Sequence, residues 1–194
     1  PEHCAFCIKD TENHTAFGDN KNPQLSWSEI PIEAKSLILV CVDTSVPSSL
    51  DNFNQEGKTI AKDLPRVEFT HWSMVDILPI NGGVNEGECS HGITPGGKQN
   101  PNGPVGSRQG INDYTGFMAG NPDMEGNYYG YDGPCPPWND ELAHQYCFKL
   151  FACDFNRCSV EGAFSGQDVL KAIEGHVIAE TELVGLYSLN PDLE

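Results

Sequence analysis

Apolar and polar positions divide the chain into a few strong segments separated by long polar stretches. Residues 36–43 (SLILVCVD) form a continuous apolar run of strand length, the pattern of a strand buried on both faces. The run ends at Asp43, and Pro47 beyond it cannot donate to a ladder. Residues 69–78 (FTHWSMVDIL) predict a second strand, with Phe69, His71, Ser73, Val75 and Ile77 on one face and Thr70, Trp72, Met74, Asp76 and Leu78 on the other. Residues 144–154 (HQYCFKLFACD) predict a third, in which His144, Tyr146, Phe148, Leu150 and Ala152 share a face. Polar groups at the start of that face give way to core further along it, as expected where a pocket lies at one end of a sheet.

One segment carries helical spacing. Ser165 and Asp168 match a Ser-x-x-Asp capping arrangement, Val169, Leu170, Ile173 and Val177 follow at helical intervals, and Gly175 marks the end. Residues 178–187 return to alternation, with Glu180 and Glu182 on one side and Ala179, Thr181 and Leu183 on the other, which predicts a final strand. Residues 48–66 are polar and form a long surface loop. Residues 82–133 are crowded with Gly, Pro and Asn; they are too many for a structureless loop, so they hold short strands whose positions the pattern does not fix.

Composition agrees with this β-rich picture. The 194 residues suit a single domain spanning 1–194, and 20 Gly with 14 Pro favour strands joined by many turns. Eleven Lys and Arg against 28 Asp and Glu give a net charge of −17, a field that repels nucleic acid and anionic membrane surfaces. A phosphate site in such a chain must be local, built from backbone N–H groups and His. No apolar run reaches the length of a membrane span and no signal peptide is visible, so the expected location is cytoplasmic; the chain begins at Pro1, which leaves a periplasmic location open. Of the eight Cys, Cys41, Cys147 and Cys153 sit inside apolar runs as small buried hydrophobes, and reduced thiols are expected throughout. The Cys4-x-x-Cys7 pair has no second pair to complete a zinc site and no thioredoxin-like context, so it predicts two incidental thiols.

Several motifs at the strand ends resemble one family. Asn22-Pro23-Gln24-Leu25-Ser26-Trp27, Asp43-Thr44-Ser45-Val46-Pro47, Phe69-Thr70-His71-Trp72, Gly130-Tyr131-Asp132-Gly133-Pro134-Cys135-Pro136-Pro137 and His144-Gln145-Tyr146 follow one another in the order and spacing of the phosphatidylethanolamine-binding proteins, the family of Raf kinase inhibitor protein. The Pro-rich loop, together with Ala172-Ile173-Glu174-Gly175-His176-Val177 and Gly185-Leu186-Tyr187, resembles the bacterial branch. The resemblance implies a mainly β fold, a Greek-key antiparallel β-sandwich with one or two short helices, to which family members commonly add a strand before the point where this chain begins. It implies a pocket for phosphate-like anions, with Asp43, His71, His144 and Tyr146 at strand ends and Gly133, Pro134, Cys135, Pro136 and Pro137 as its wall. Ser45 stands where the family has a second Asp, Gln145 where it has Arg, and the C-terminal ligand helix of eukaryotic members has no counterpart, so the phospholipid of the family's name need not be bound.

The residues themselves support three chemistries. In the first, a non-catalytic module binds phosphoryl head groups or phosphorylated ligands through N–H groups of His71 and His144 and the Tyr146 hydroxyl, with Asp43 raising the pKa of one imidazole. Such a module needs no cofactor, could regulate a signalling enzyme, has no identifiable protein partner and is free to form a homodimer. One X-Pro bond in Pro134-Cys135-Pro136-Pro137 is expected to be cis. In the second, an Asp–His pair acts as general base in a hydrolase, although no nucleophile motif accompanies it and Cys135 lacks a helix N-terminus to activate it. In the third, Asp43, His71 and His144 form a facial triad for a metal ion. Residues 48–66 and 82–130 are expected to frame the mouth of the pocket.

Overall fold

A computed structural model describes residues 1–193. Its centre is an antiparallel sheet of five strands. The apolar run extends into β4 (Ser36–Pro47), the middle strand, preceded in the chain by the hairpin of β1 (Cys7–Asp10) and β2 (His14–Phe17) and by the short β3 (Leu25–Trp27). Beside β4 lie β5 (Arg66–Ile77) and β8 (His144–Cys153); β7 (Arg108–Gln109) borders β5, and β9 (Val177–Tyr187) forms the other edge, beyond β8. The chain reaches β8 only after β6 (Gly82–Val84), which pairs with β3, and a single helical turn, α1 (Tyr114–Phe117). The molecule is therefore mainly β and antiparallel, with few helical residues.

Period-two patterning builds a core on each face of this sheet. Leu37, Leu39, Cys41, Trp72, Met74, Leu150 and Ala152 pack on one side, where Leu25 and Trp27 of β3 cover them. Ile38, Val40, Val42, Val75 and Phe151 pack on the other, against Phe164, Val169 and Ile173 around α2 (Gly166–Ala172). That helix carries the expected capping box: Ser165 Oγ accepts from the Asp168 N–H at 3.2 Å, and Asp168 accepts from the Ser165 N–H at 2.8 Å. Gly175 follows with φ of +78°, the left-handed conformation that ends a helix. A third cluster, Phe6, Tyr114, Tyr128 and Leu189, ties the N-terminal hairpin to the end of the sheet where β4 stops.

Two expectations fail at that end. The cysteines are not all reduced: Cys7 and Cys135 form a disulfide, while the other six are free and buried. The pairing joins residues 128 positions apart, so spacing could not show it. The backbone explains it, because the N–H groups of Phe6 and Cys7 both donate to the Pro134 carbonyl, at 2.9 and 3.0 Å, and set the two cysteines side by side. Gly133 permits the approach, since a Cβ there would lie 1.9 Å from the Cys4 carbonyl oxygen. The expected cis X-Pro bond is also absent, every peptide bond among the described residues being trans. The bend of the Pro-rich wall is held instead by these hydrogen bonds and the disulfide.

Candidate functional site

Irregular pairing concentrates the polar residues at one end of the sheet. Register shifts between Cys41 and Val42 and between Asp43 and Val46 let Asp43 lie opposite Phe69 on β5 and opposite Tyr146 on β8. His71, two residues along β5, and His144, two residues back on β8, complete the group. All four side chains are buried and border one cavity of about 660 Å³. Cys135, Pro136 and Pro137 form part of its wall. Gly133 and Pro134 lie behind that wall: the Gly133 N–H donates to Asn20 Oδ1, and the carbonyls of both accept hydrogen bonds.

The two histidines have opposite surroundings. His144 lies between two carboxylates, with Nδ1 2.7 Å from Asp43 Oδ2 and Nε2 3.2 Å from Asp140 Oδ2. Only the imidazolium can donate to both. Burial opposes its charge, but the hydrogen bonds to Asp140 and Asp43 outweigh burial and raise its pKa. Arg66 grips Asp140 with both terminal nitrogens, at 2.5 and 3.1 Å, and the free oxygen of Asp43 accepts from the Ser45 N–H at 2.8 Å. Arg66, Asp140, His144 and Asp43 thus alternate in sign and sum to zero. His144 reaches the cavity but has no N–H left for a ligand.

His71 retains an unused valence. Its Nδ1 lies 2.7 Å from the Asp132 carbonyl, which can only accept, so Nδ1 carries the proton and Nε2 the lone pair. Burial lowers its pKa more than the neighbouring Asp43 raises it, which keeps the ring neutral. Nε2 makes no hydrogen bond among the described residues. Beside it, with ring centroids 5.1 Å apart, stands Tyr146, whose buried hydroxyl also has no partner. Burial, and then the Asp43 carboxylate, which lies close enough to draw on the hydroxyl without meeting it at hydrogen-bond geometry, push that phenol well above its ordinary pKa, so it remains a donor.

The remainder of the cavity is apolar and aromatic. Phe69 packs edge-on to Tyr114 and Phe117 at 5.3 and 6.4 Å, and Phe6 stacks on Tyr114 at 4.6 Å. Leu50 and Phe53 come from the 48–66 loop and residues 111–118 from the long connection, so both segments border the cavity as expected. Among the described residues no Lys or Arg lines it, and the charged groups that do are Asp43, Asp113 and His144. Among the described residues no group of three or more His, Cys, Asp or Glu is arranged to hold a metal ion.

Comparison with known proteins places the chain in a family. Residues 7–188 match the family model described as phosphatidylethanolamine-binding protein. The chain belongs to that family. A UPF0098 protein of Methanothermobacter thermautotrophicus is 36% identical over 174 residues, covering 90% of this chain and 87% of its own length, and one of Chlamydia muridarum is 31% identical with 91% and 88% covered. Among solved structures, the phosphatidylethanolamine-binding protein homolog CT736 of Chlamydia trachomatis superposes with a TM-score of 0.60 at 26% identity, over 96% of this chain and 94% of that one. YbcL of Escherichia coli, described as a member of the mammalian family, gives 0.62 at 24% identity over 87% and 80%, a likeness of fold.

Within this phosphatidylethanolamine-binding protein fold, motifs located the strand-end residues but not their partners. Asp140 lies four residues before His144, and Arg66 stands where β5 begins, yet neither carries a pattern that distinguishes it from a surface charge. Tyr114 and Phe117 arise in the Gly-rich connection that periodicity leaves blank, and Cys7 belongs to the pair read as incidental.

Proposed function

We propose that this family member is a non-catalytic binding protein whose cavity takes a phosphoryl-type anion carrying one proton, with an apolar portion of the ligand against the aromatic wall. One observation carries this reading: a lone pair on His71 Nε2 and an unpartnered donor on Tyr146 stand side by side on the lining of a largely apolar cavity. Buried polar groups without partners are costly, and a ligand that supplies them gains accordingly. A monoprotonated phosphoryl group fits both, donating its O–H to Nε2 and accepting from the phenol. The charge chain beside it sums to zero, which leaves the Asp113 carboxylate, held by the Thr70 N–H, as the anionic group on the lining that opposes the ligand. Catalysis has less support, because the Asp-paired imidazole of His144 is spent between two carboxylates, His71 is oriented by a backbone carbonyl rather than by a carboxylate, and Cys135 is oxidised. The disulfide favours an oxidising compartment over the cytoplasm. Where the phosphoryl group belongs to a protein side chain, occupancy of the cavity would serve regulation.

Titration calorimetry with phenyl phosphate and inorganic phosphate tests the reading. Because the ligand enters with a proton, affinity should climb as pH falls from about 8 toward about 6, near the second pKa of a phosphate ester, by up to about tenfold per unit. Phenyl phosphate should bind more tightly than inorganic phosphate. Absence of binding throughout that range, or unchanged binding in His71→Ala, would overturn it.

A further inference from the structure

Asp132 is buried as completely as the core, yet its carboxylate does not border the binding cavity. Three donors from distant parts of the chain fill that carboxylate. Asn20 Nδ2 and Lys98 Nζ lie 2.7 and 2.5 Å from Oδ1, and Asn112 Nδ2 lies 2.9 Å from Oδ2. The Lys98 side chain is itself only 13% exposed and supplies the balancing charge, in a chain with 11 Lys and Arg against 28 Asp and Glu. Taking two ions out of water is costly, so a buried ion pair is weak evidence of a device for stability. What this pair holds in place lies on the other side of the same residue.

The backbone of Asp132 meets His71 twice. Its N–H donates to the His71 carbonyl at 3.1 Å, and its own carbonyl accepts from His71 Nδ1 at 2.7 Å. The same two amides tie its neighbours: Asn20 Oδ1 accepts from the Gly133 N–H at 2.8 Å, and Asn112 Nδ2 also donates to the Gly130 carbonyl at 3.0 Å. Residues 130–133 are thus bracketed on both sides, and the ring can satisfy the Asp132 carbonyl only with a proton on Nδ1. We propose, on the binding reading above, that Asp132 is the positioning residue of the site and that Lys98 acts through it. Their ion pair aims one carbonyl at Nδ1, which leaves Nε2 as the lone pair that a protonated phosphoryl group meets. The charged groups around His71 are Asp43, Asp113 and Asp132, and each favours the imidazolium, which has no lone pair to offer. Tyr114 and Tyr146, packed edge-on against the ring, have phenols pushed well above their ordinary pKa and stay neutral. Lys98 offsets Asp132, so its loss should free the ring both to exchange tautomers and to take a second proton.

Long-range proton–nitrogen NMR of the ligand-free protein, with calorimetry of phenyl phosphate, tests the role of the pair. Wild type at neutral pH should show a single His71 tautomer, protonated at Nδ1. Lys98→Met keeps the bulk of the side chain and removes its charge. It should add the Nε2–H tautomer or the imidazolium to the His71 spectrum and weaken phenyl phosphate about tenfold, the worth of one hydrogen bond. Lys98→Arg restores the charge and should recover both readouts. A wild type protonated at Nε2 overturns the positioning role, and that measurement needs no variant to fold. Lys98→Met with the wild-type tautomer, or with an altered tautomer and unchanged affinity, overturns it as well. If His71 changes as described but wild type does not bind phenyl phosphate, the positioning stands and the binding reading fails.

Discussion

His71 and His144 stand on strands that flank β4, face the same cavity and are both buried, yet they hold their protons for opposite reasons. Around His144 every valence is filled by a carboxylate, and those carboxylates are filled in turn by Arg66 and a backbone N–H. Around His71 one nitrogen is anchored to a carbonyl and the other is open, next to an open phenol. Low dielectric strengthens a completed polar network and penalises an incomplete one. The His144 side therefore holds the strand ends together, and the His71 side carries the open valences on which the proposed binding rests. Stability and binding should separate when each side is altered alone.

The largest effect is expected from the covalent tie behind the open side. The disulfide closes a loop of 128 positions, and removing a native bridge typically costs 2 to 5 kcal/mol, about 5 for a loop this long. Urea unfolding of the Cys7→Ala, Cys135→Ala double variant should show that loss. Because the bridge anchors the N-terminal hairpin to the Pro-rich wall, binding of phenyl phosphate should also weaken, while the His144 imidazole resonances keep their titration. Unchanged stability would mean that the hydrogen bonds of Phe6 and Cys7 to Pro134 suffice without the bridge.

A smaller but still large loss is expected on the closed side. His144→Ala leaves Asp43 and Asp140 facing each other without the cation between them, and breaking a buried pair in this way costs about 3 kcal/mol. The pH dependence separates the two histidines. His144 has a raised folded pKa, so its contribution is complete below the unfolded value of 6.5 and fades as pH climbs through the raised one. His71 has a lowered folded pKa, so its contribution is present above 6.5 and is lost as pH falls through the lowered value. Chemical denaturation across this range should show His144→Ala abolishing the alkaline decline and His71→Ala abolishing the acid one. Identical profiles for the two variants would contradict the assignment of protons.

How much of this was legible beforehand follows from the range of each interaction. The buried β4, the capping box of α2 and the alternation of β8 depend on neighbours a few residues apart, and periodicity finds them. Motif order located Asp43, His71, His144 and Tyr146 together. It could not show that His144 is spent, because that depends on Asp140 and Arg66, whose only signal is their charge. The Cys7–Cys135 bridge and the aromatic wall from Tyr114 and Phe117 depend on contacts across most of the chain or on a Gly-rich stretch with no period. The C-terminal strand was expected, but only sheet order reveals that it forms an edge.

The smallest stability effect should have the clearest functional consequence. Tyr146 keeps a buried hydroxyl with no partner, a group that costs stability in the free protein. Tyr146→Phe removes the oxygen and leaves the ring against His71, so urea unfolding should find the variant as stable as wild type or more stable by about 1 kcal/mol. If the hydroxyl serves only packing, nothing else changes. If it donates to a bound phosphoryl oxygen, the same variant should lose about five- to tenfold in affinity for phenyl phosphate, the worth of one hydrogen bond of roughly 1 kcal/mol or slightly more. Opposite signs in the two measurements identify a residue retained for binding at a cost to folding. A variant that is destabilised and binds normally would assign the hydroxyl to the structure instead.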